Sequence, residues 1–85
     1  MSRVTIYCTT DCPYCVMAKK YFEREKIAYI ENDITDDEAT WERLSNDNKG
    51  WRTVPMIFID GHFIGGFDEL TKLGKEGKLK ELKGP

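Results

Sequence analysis

Thr9-Thr10-Asp11-Cys12-Pro13-Tyr14-Cys15 is the stretch on which the reading of this 85-residue chain turns. Upstream of it, Arg3 to Cys8 (RVTIYC) is rich in β-branched and aromatic residues, so it reads as a strand ending in the polar turn 9–11. Downstream, Tyr14 to Lys26 is compatible with a helix, with Pro13 just inside its start. There proline's fixed φ suits the helix, and its missing N–H would be unpaired anyway. Ala18, Tyr21 and Phe22 fall at i, i+3 and i+4 and give that helix one apolar face. A strand therefore runs into a helix, with two cysteines at the junction.

The remainder continues the alternation. Ala28 to Asn32 reads as a short second strand. Thr35-Asp36-Asp37-Glu38 has the S/T-x-x-E spacing of a capping box, which opens a helix to about Asn46 with Trp41 and Leu44 facing inward. Met56 to Ile59, after Val54-Pro55, is a third strand. Asp60-Gly61 is a strong hairpin signal that leads into a fourth, His62 to Ile64. Gly65-Gly66 breaks the chain, and Phe67 to Lys75 returns to helix with Leu70 and Leu73 inward. The lysine-rich tail, Lys75 to Lys83, carries Leu79 and Leu82 as anchors and reads as a solvated face. The order is β-α-β-α-β-β-α. A first βαβ unit implies two parallel strands joined by a right-handed crossover, and the hairpin completes a four-stranded mixed sheet between helices. This is an α/β class with a single domain over 1–85.

Composition narrows the function. A chain of this length buries only about 60% of its unfolded surface. Its 40% apolar and 33% charged residues suit a globular domain. A net charge of −2 argues against nucleic-acid binding, which needs clustered positive charge. No apolar run approaches the ~18 residues of a membrane span. Met1-Ser2-Arg3 leads straight into a strand, so no signal peptide is expected. Three cysteines without an export signal fit a reducing, cytoplasmic setting, where disulfides are transient and catalytic.

A lone C-x-x-C fits a redox couple, half a metal site, or a structural staple. At a helix start, Cys12 and Cys15 stand at i and i+3, with Cβ atoms about 5–6 Å apart, which small adjustments bring within disulfide range. Cys12 faces the unpaired N–H groups and the positive end of the helix dipole, which favour a thiolate. Cys15, inside the turn, is expected to be more buried. That assigns an exposed nucleophile and a resolving thiol. A Cys8/Cys12/Cys15/His62 zinc site has poor ligand spacing, Cys8 reads as a small apolar strand residue, and a staple would close a tiny loop. Redox chemistry is the favoured reading of the three, and no metal is expected.

Three motifs, Cys12-Pro13-Tyr14-Cys15, Thr53-Val54-Pro55 and Gly65-Gly66-Phe67-Asp68-Glu69, give the chain a resemblance to dithiol glutaredoxins of the thioredoxin-like fold over essentially its whole length. The resemblance implies that Val54-Pro55 is the family's cis-proline turn facing the cysteines, with a backbone edge on which an extended peptide adds as a strand. Gly66 opens the last helix, so the N–H groups of Phe67 and Asp68 suit a carboxylate, and Asp68 suits an ammonium group. The glycines would let a ligand approach the backbone closely. Tyr14 would form one wall, with Arg52 or Lys49 near a second carboxylate. Together these residues match glutathione. In the family's pattern a basic residue often precedes the first active-site cysteine, but here those places are Thr9, Thr10 and Asp11. Trp51 reads as a half-buried packing aromatic.

The implied activity is glutathione-dependent thiol–disulfide oxidoreduction of protein disulfides and protein–glutathione mixed disulfides. Cys12 and Cys15 are catalytic, glutathione is the co-substrate, Thr53 belongs to the binding edge, and a monomer is the default. One competing reading is an electron carrier reduced by thioredoxin reductase and serving ribonucleotide reductase. Another is a non-enzymatic [2Fe–2S] cluster carrier, against which Pro13 argues.

Overall fold

The computed structural model describes residues 3–80. Seven elements appear in the expected order: β1 (Val4–Cys8), α1 (Pro13–Arg24), β2 (Ile30–Asp33), α2 (Glu38–Asp47), β3 (Met56–Ile59), β4 (His62–Gly65) and α3 (Phe67–Lys75). The sheet order is β2-β1-β3-β4. β1 and β2 are parallel, with Thr5 opposite Ile30 and Cys8 opposite Asp33. β1–β3 and β3–β4 are antiparallel, and a register shift separates Ile57 from Phe58.

Alternation along the strands divides the core in two. Val4, Ile6 and Cys8 of β1 and Ile57 of β3 are buried against Ala18 and Phe22 of α1, Leu70 of α3 and Leu79. The intervening residues, Tyr7, Met56 and Phe58, point to the opposite face, where they meet Ile34 and Leu44 beneath α2. Each fully buried large side chain here, such as Phe22, Ile6 or Leu70, contributes about 1.5–3 kcal/mol of burial. The second face is aromatic: Phe63 lies 5.2 Å from both Phe58 and Trp51.

The differences from the sequence reading have local causes. α1 stops at Arg24 rather than Lys26 because Lys26 takes a left-handed φ of 58°. The N–H of Lys26 then donates to Glu23 O, and that of Ile27 to Phe22 O at 2.8 Å, closing the helix without a glycine. β2 lies two residues later at its start than expected. It is an edge strand with all four residues exposed, so no hydrophobic alternation marks its ends. Thr35 does not cap α2. Its hydroxyl donates to Asp33 two residues back, a local bond that competes with capping, and Asp37 takes the cap by accepting from Thr40 N at 3.1 Å. At the hairpin, Asp60 and Gly61 both have positive φ, 53° and 82°, as a primed turn requires. Leu79 is buried, whereas Leu82 and Lys83 lie outside the described residues. No described helix is long and apolar enough to cross a membrane.

Candidate active site

The site forms where β1 delivers the chain to α1. Cys12 is the N-cap of α1, in extended backbone (φ −114°, ψ 105°), and its Sγ accepts the N–H of Cys15 at 3.2 Å. Sulfur thus stands where a serine or aspartate oxygen usually satisfies a first-turn donor. Cys12 is half-buried, Cys15 is buried, and all three cysteines are free thiols. The loop before Cys12 is pinned to the end of β2. Thr10 N donates to Thr35 Oγ1 at 2.8 Å, and Thr35 N and Oγ1 both donate to Asp33 Oδ1, at 2.9 and 2.5 Å. These bonds hold the Asp33 carboxyl below its ordinary value, the Thr35 hydroxyl first.

Electrostatics at the two active-site thiols differ from the sequence expectation in one respect. Partial burial pushes Cys12 above the ordinary thiol value of 9.0, and the Cys15 side chain adds to this. The N–H groups of Cys15 and Tyr14 pull it down, as a helix start should. They are outweighed, so the shift runs opposite to the one expected from the dipole alone. Cys15 is pushed far above the thiol range, first by a hydrogen bond with the Cys8 side chain and then by burial.

Across from the cysteines, the Val54–Pro55 peptide is cis, and the Cys12 thiol donates to Val54 O at 3.5 Å. From there a groove of about 380 Å³ opens, lined by Tyr14, Trp51, Thr53, Val54, Pro55, Gly66, Phe67, Asp68 and Glu69. Seven residues singled out from the sequence thus converge: Tyr14, Thr53, Val54, Pro55, Gly66, Phe67 and Asp68. Tyr14, 57% exposed, leans toward Phe67 with ring centroids 6.4 Å apart, so these rings make one wall. Arg52 and Lys49 do not join them. Arg52 lines a separate groove with Thr35, Glu38, Trp41 and Glu42, and Lys49 lines another with Trp51, His62 and Phe63. Among the described residues, no group of three or more His, Cys, Asp or Glu is arranged to hold a metal ion.

Two lining residues had no site role in the sequence reading. Trp51 packs on Phe63 and also borders the groove, its Nε1 donating to Thr53 O at 3.0 Å. Glu69 reaches back to accept Gly66 N at 2.8 Å, the reciprocal half of a capping box. Its position three residues after Gly66 was the available signal. Glu69 also changes the reason for Gly65. A Cβ there would lie 2.7 Å from Glu69 Cγ, so the close approach at Gly65 comes from this chain's own side chain.

The glutaredoxin family profile matches residues 4–64. Among curated relatives, glutaredoxin 1 of Rickettsia conorii is 36% identical over 80 residues, covering 93% of this chain and 78% of that protein. The mitochondrial glutaredoxin-2 of Mus musculus is 41% identical over 81 residues, covering 93% of this chain and 52% of that protein. Among solved structures, the buckwheat glutaredoxin–glutathione complex superposes with a TM-score of 0.87 at 31% identity, covering 95% of this chain and 76% of that one. Glutaredoxin 1 from Francisella tularensis, complexed with cacodylate, gives 0.80 at 37% identity, covering 92% and 98%. The mixed four-stranded sheet between helices is therefore the thioredoxin-like fold. With a cysteine-capped helix facing a proline turn across a groove, and relatives of this kind on nearly its full length, the chain belongs to the glutaredoxin family of thiol–disulfide oxidoreductases.

Proposed function

We propose that the chain is a dithiol glutaredoxin of the C-P-Y-C type, which uses glutathione to reduce protein disulfides and protein–glutathione mixed disulfides. The observation that carries this reading is the single groove joining Tyr14, the Thr53–Pro55 edge and the start of α3 beside the Cys12 thiol. Gly66 caps α3 without a side chain, which leaves first-turn N–H groups for the γ-glutamyl carboxylate of glutathione. Asp68 supplies the charge for its ammonium group. The backbone of Val54 pairs with the peptide portion, which directs the glutathione sulfur toward Cys12. We propose the cytoplasm as its compartment, since a catalytic dithiol needs a reducing setting.

With a glutathionylated protein, Cys12 Sγ attacks the glutathione sulfur and the protein thiolate leaves. A second glutathione then reduces the Cys12–glutathione disulfide, and glutathione disulfide departs. With a protein disulfide, Cys12 forms a mixed disulfide. Cys15 attacks Cys12 Sγ, its proton going to the departing protein thiolate, and two glutathiones reduce the Cys12–Cys15 bond. The Cys15 N–H and Tyr14 N–H favour negative charge on Cys12 whenever it acts as nucleophile or leaving group. Cys12→Ser is expected to abolish both routes, and Cys15→Ser to spare deglutathionylation while losing protein-disulfide reduction. Equal loss of both routes in Cys15→Ser would reverse the assigned roles.

A second reading is an electron carrier reduced by thioredoxin reductase, with ribonucleotide reductase among the enzymes it would serve. It is favoured by the lining of other grooves by Arg52 and Lys49, and by Thr9, Thr10 and Asp11 standing where a basic residue would precede Cys12. The oxidised protein, offered glutathione or thioredoxin reductase with NADPH in separate stopped reactions, separates the two by thiol count. Rapid reduction by glutathione alone supports the first reading, and rapid reduction only by the reductase replaces it with the second.

A further inference from the structure

In the proposed pose the γ-glutamyl end of glutathione is balanced, its carboxylate on the first-turn N–H groups of α3 and its ammonium on Asp68. The glycine end brings one further negative charge, and the direction of the binding edge decides what meets it. A Cβ on Gly66 would stand 3.4 Å from Pro55 O, so the Pro55 end of the edge lies against the start of α3. A γ-glutamyl group held there leaves the rest of an extended ligand to run toward Thr53 and Arg52. Arg52 lines the second groove, of about 390 Å³, with Thr35, Glu38, Trp41 and Glu42. Thr35 ties this groove to the active-site loop, since its Oγ1 accepts Thr10 N at 2.8 Å, two residues before Cys12. The second groove thus adjoins both the Thr53 end of the edge and the loop that carries Cys12.

Its charge is mainly negative. Glu38 and Glu42 stand at i and i+4 of α2, on one face of the helix. Among the described residues that line this groove, Arg52 is the one cation. Asp33 accepts Thr35 N at 2.9 Å beside it. Asp11, exposed, directly precedes Cys12. The first groove adds Asp68 and Glu69, with no Lys, Arg or His among its lining residues. Four carboxylates and one guanidinium therefore line the two grooves. A cleft lined mostly by one sign of charge focuses that field on whatever enters it.

We propose that the site selects γ-glutamylcysteinyl thiols whose C-terminal carboxylate is capped, as in an amide, and takes glutathione itself less readily. This rests on the glutathione reading above and narrows its substrate class. An amide end brings no charge into the second groove, and its N–H groups can donate to Glu38 or Glu42. The free glycine carboxylate must instead be accommodated against both. The redox step is the same for either ligand. One thiol attacks Cys12 Sγ, breaking the Cys12–Cys15 bond, and Cys15 takes up the proton. A second thiol then attacks the ligand sulfur of the mixed disulfide, and Cys12 leaves with the second proton. The two thiols depart as their own disulfide, having supplied both electrons.

The test offers the full chain, oxidised to the Cys12–Cys15 disulfide, either glutathione or its C-terminal amide at equal concentration. Protein thiols are counted with time after an acid quench and removal of the small thiol. Each rate is divided by that thiol's rate with a small free disulfide, which removes any difference in intrinsic reactivity. By this measure the amide is expected to be about two- to fivefold faster, the size of an exposed charge interaction. Glu42→Lys, at an exposed helix position, is expected to bring the ratio to one or below. Glutathione as fast as the amide, or faster, overturns the preference and leaves the glutathione reading intact. A preference for the amide that Glu42→Lys does not move overturns its assignment to the second groove. Reduction by neither thiol overturns both readings.

Discussion

Replacing Gly65 with alanine tests whether the start of α3 is organised by Glu69. Gly65 has a φ of +116°, and a Cβ there would stand 2.7 Å from Glu69 Cγ and 2.9 Å from its Oε1. Two costs follow. A side chain at positive φ costs about 1–2 kcal/mol. Glu69 must also swing aside and give up its 2.8 Å bond to Gly66 N, a capping contact of about 0.5–2 kcal/mol. The sum, about 1.5–4 kcal/mol, corresponds in a domain of this size to a fall in Tm of about 6–32 °C. Gly61 provides the control, because its φ is +82° but a Cβ there meets nothing within 4 Å. Gly61→Ala should cost only the backbone term, about 1–2 kcal/mol. Urea and thermal denaturation of both variants, alone and with Glu69→Ala, complete the comparison. In the Glu69→Ala background Gly65→Ala should cost no more than Gly61→Ala. If Gly65→Ala cost the same with and without the Glu69 side chain, the contact would not be what makes glycine necessary.

The other predictions concern the groove and the thiols. Because burial raises the Cys12 thiol above 9.0, its alkylation by iodoacetamide should climb steadily from pH 6 to beyond pH 9; a plateau below pH 8 would show that the helix N–H groups outweigh burial. Cys15 is raised further, so its contribution to stability is fully present below the ordinary thiol value and is lost as pH rises above it. Urea midpoints measured from pH 7 to 10.5 should therefore fall, and fall less in Cys15→Ala. Asp68→Asn should raise KM for a glutathionylated substrate about two- to fivefold with kcat unchanged, the size of an exposed ion pair; an unaltered KM would remove Asp68 from the binding site. Thr35→Val removes the acceptor of Thr10 N, so exchange of the Thr10 amide should quicken about fivefold, the worth of one hydrogen bond. Unchanged exchange would mean that the loop before Cys12 is held by other contacts.

The element order was legible because its punctuation is explicit in single residues. Pro13 marks the first turn of α1, Asp60-Gly61 marks the hairpin, and Gly66 marks the cap of α3. Convergence of Tyr14, Val54 and Asp68 on one groove was legible through the motifs that carry them. What escaped was decided by competition between neighbours. Thr35 has the right spacing for a cap but bonds to Asp33 instead, and Lys26 ends α1 in a conformation usually left to glycine or asparagine. Arg52 follows Trp51 directly, yet the backbone sends the two side chains to different grooves, which no linear pattern displays. The direction of the Cys12 shift was missed because a dipole argument counts the helix and omits the burial around the sulfur.

The Cys12 thiol donates to Val54 O, an atom of the edge that borders the groove. Only the protonated thiol donates to that carbonyl, so a peptide ligand whose N–H claims the same oxygen competes with the proton on sulfur. In that case binding and deprotonation would assist each other to the same extent, as reciprocity requires. On the proposed reading, a ligand N–H placed at the Val54 oxygen would therefore favour the thiolate of Cys12. Following Cys12 ionisation by thiolate absorbance against ligand concentration in Cys15→Ser measures that coupling directly.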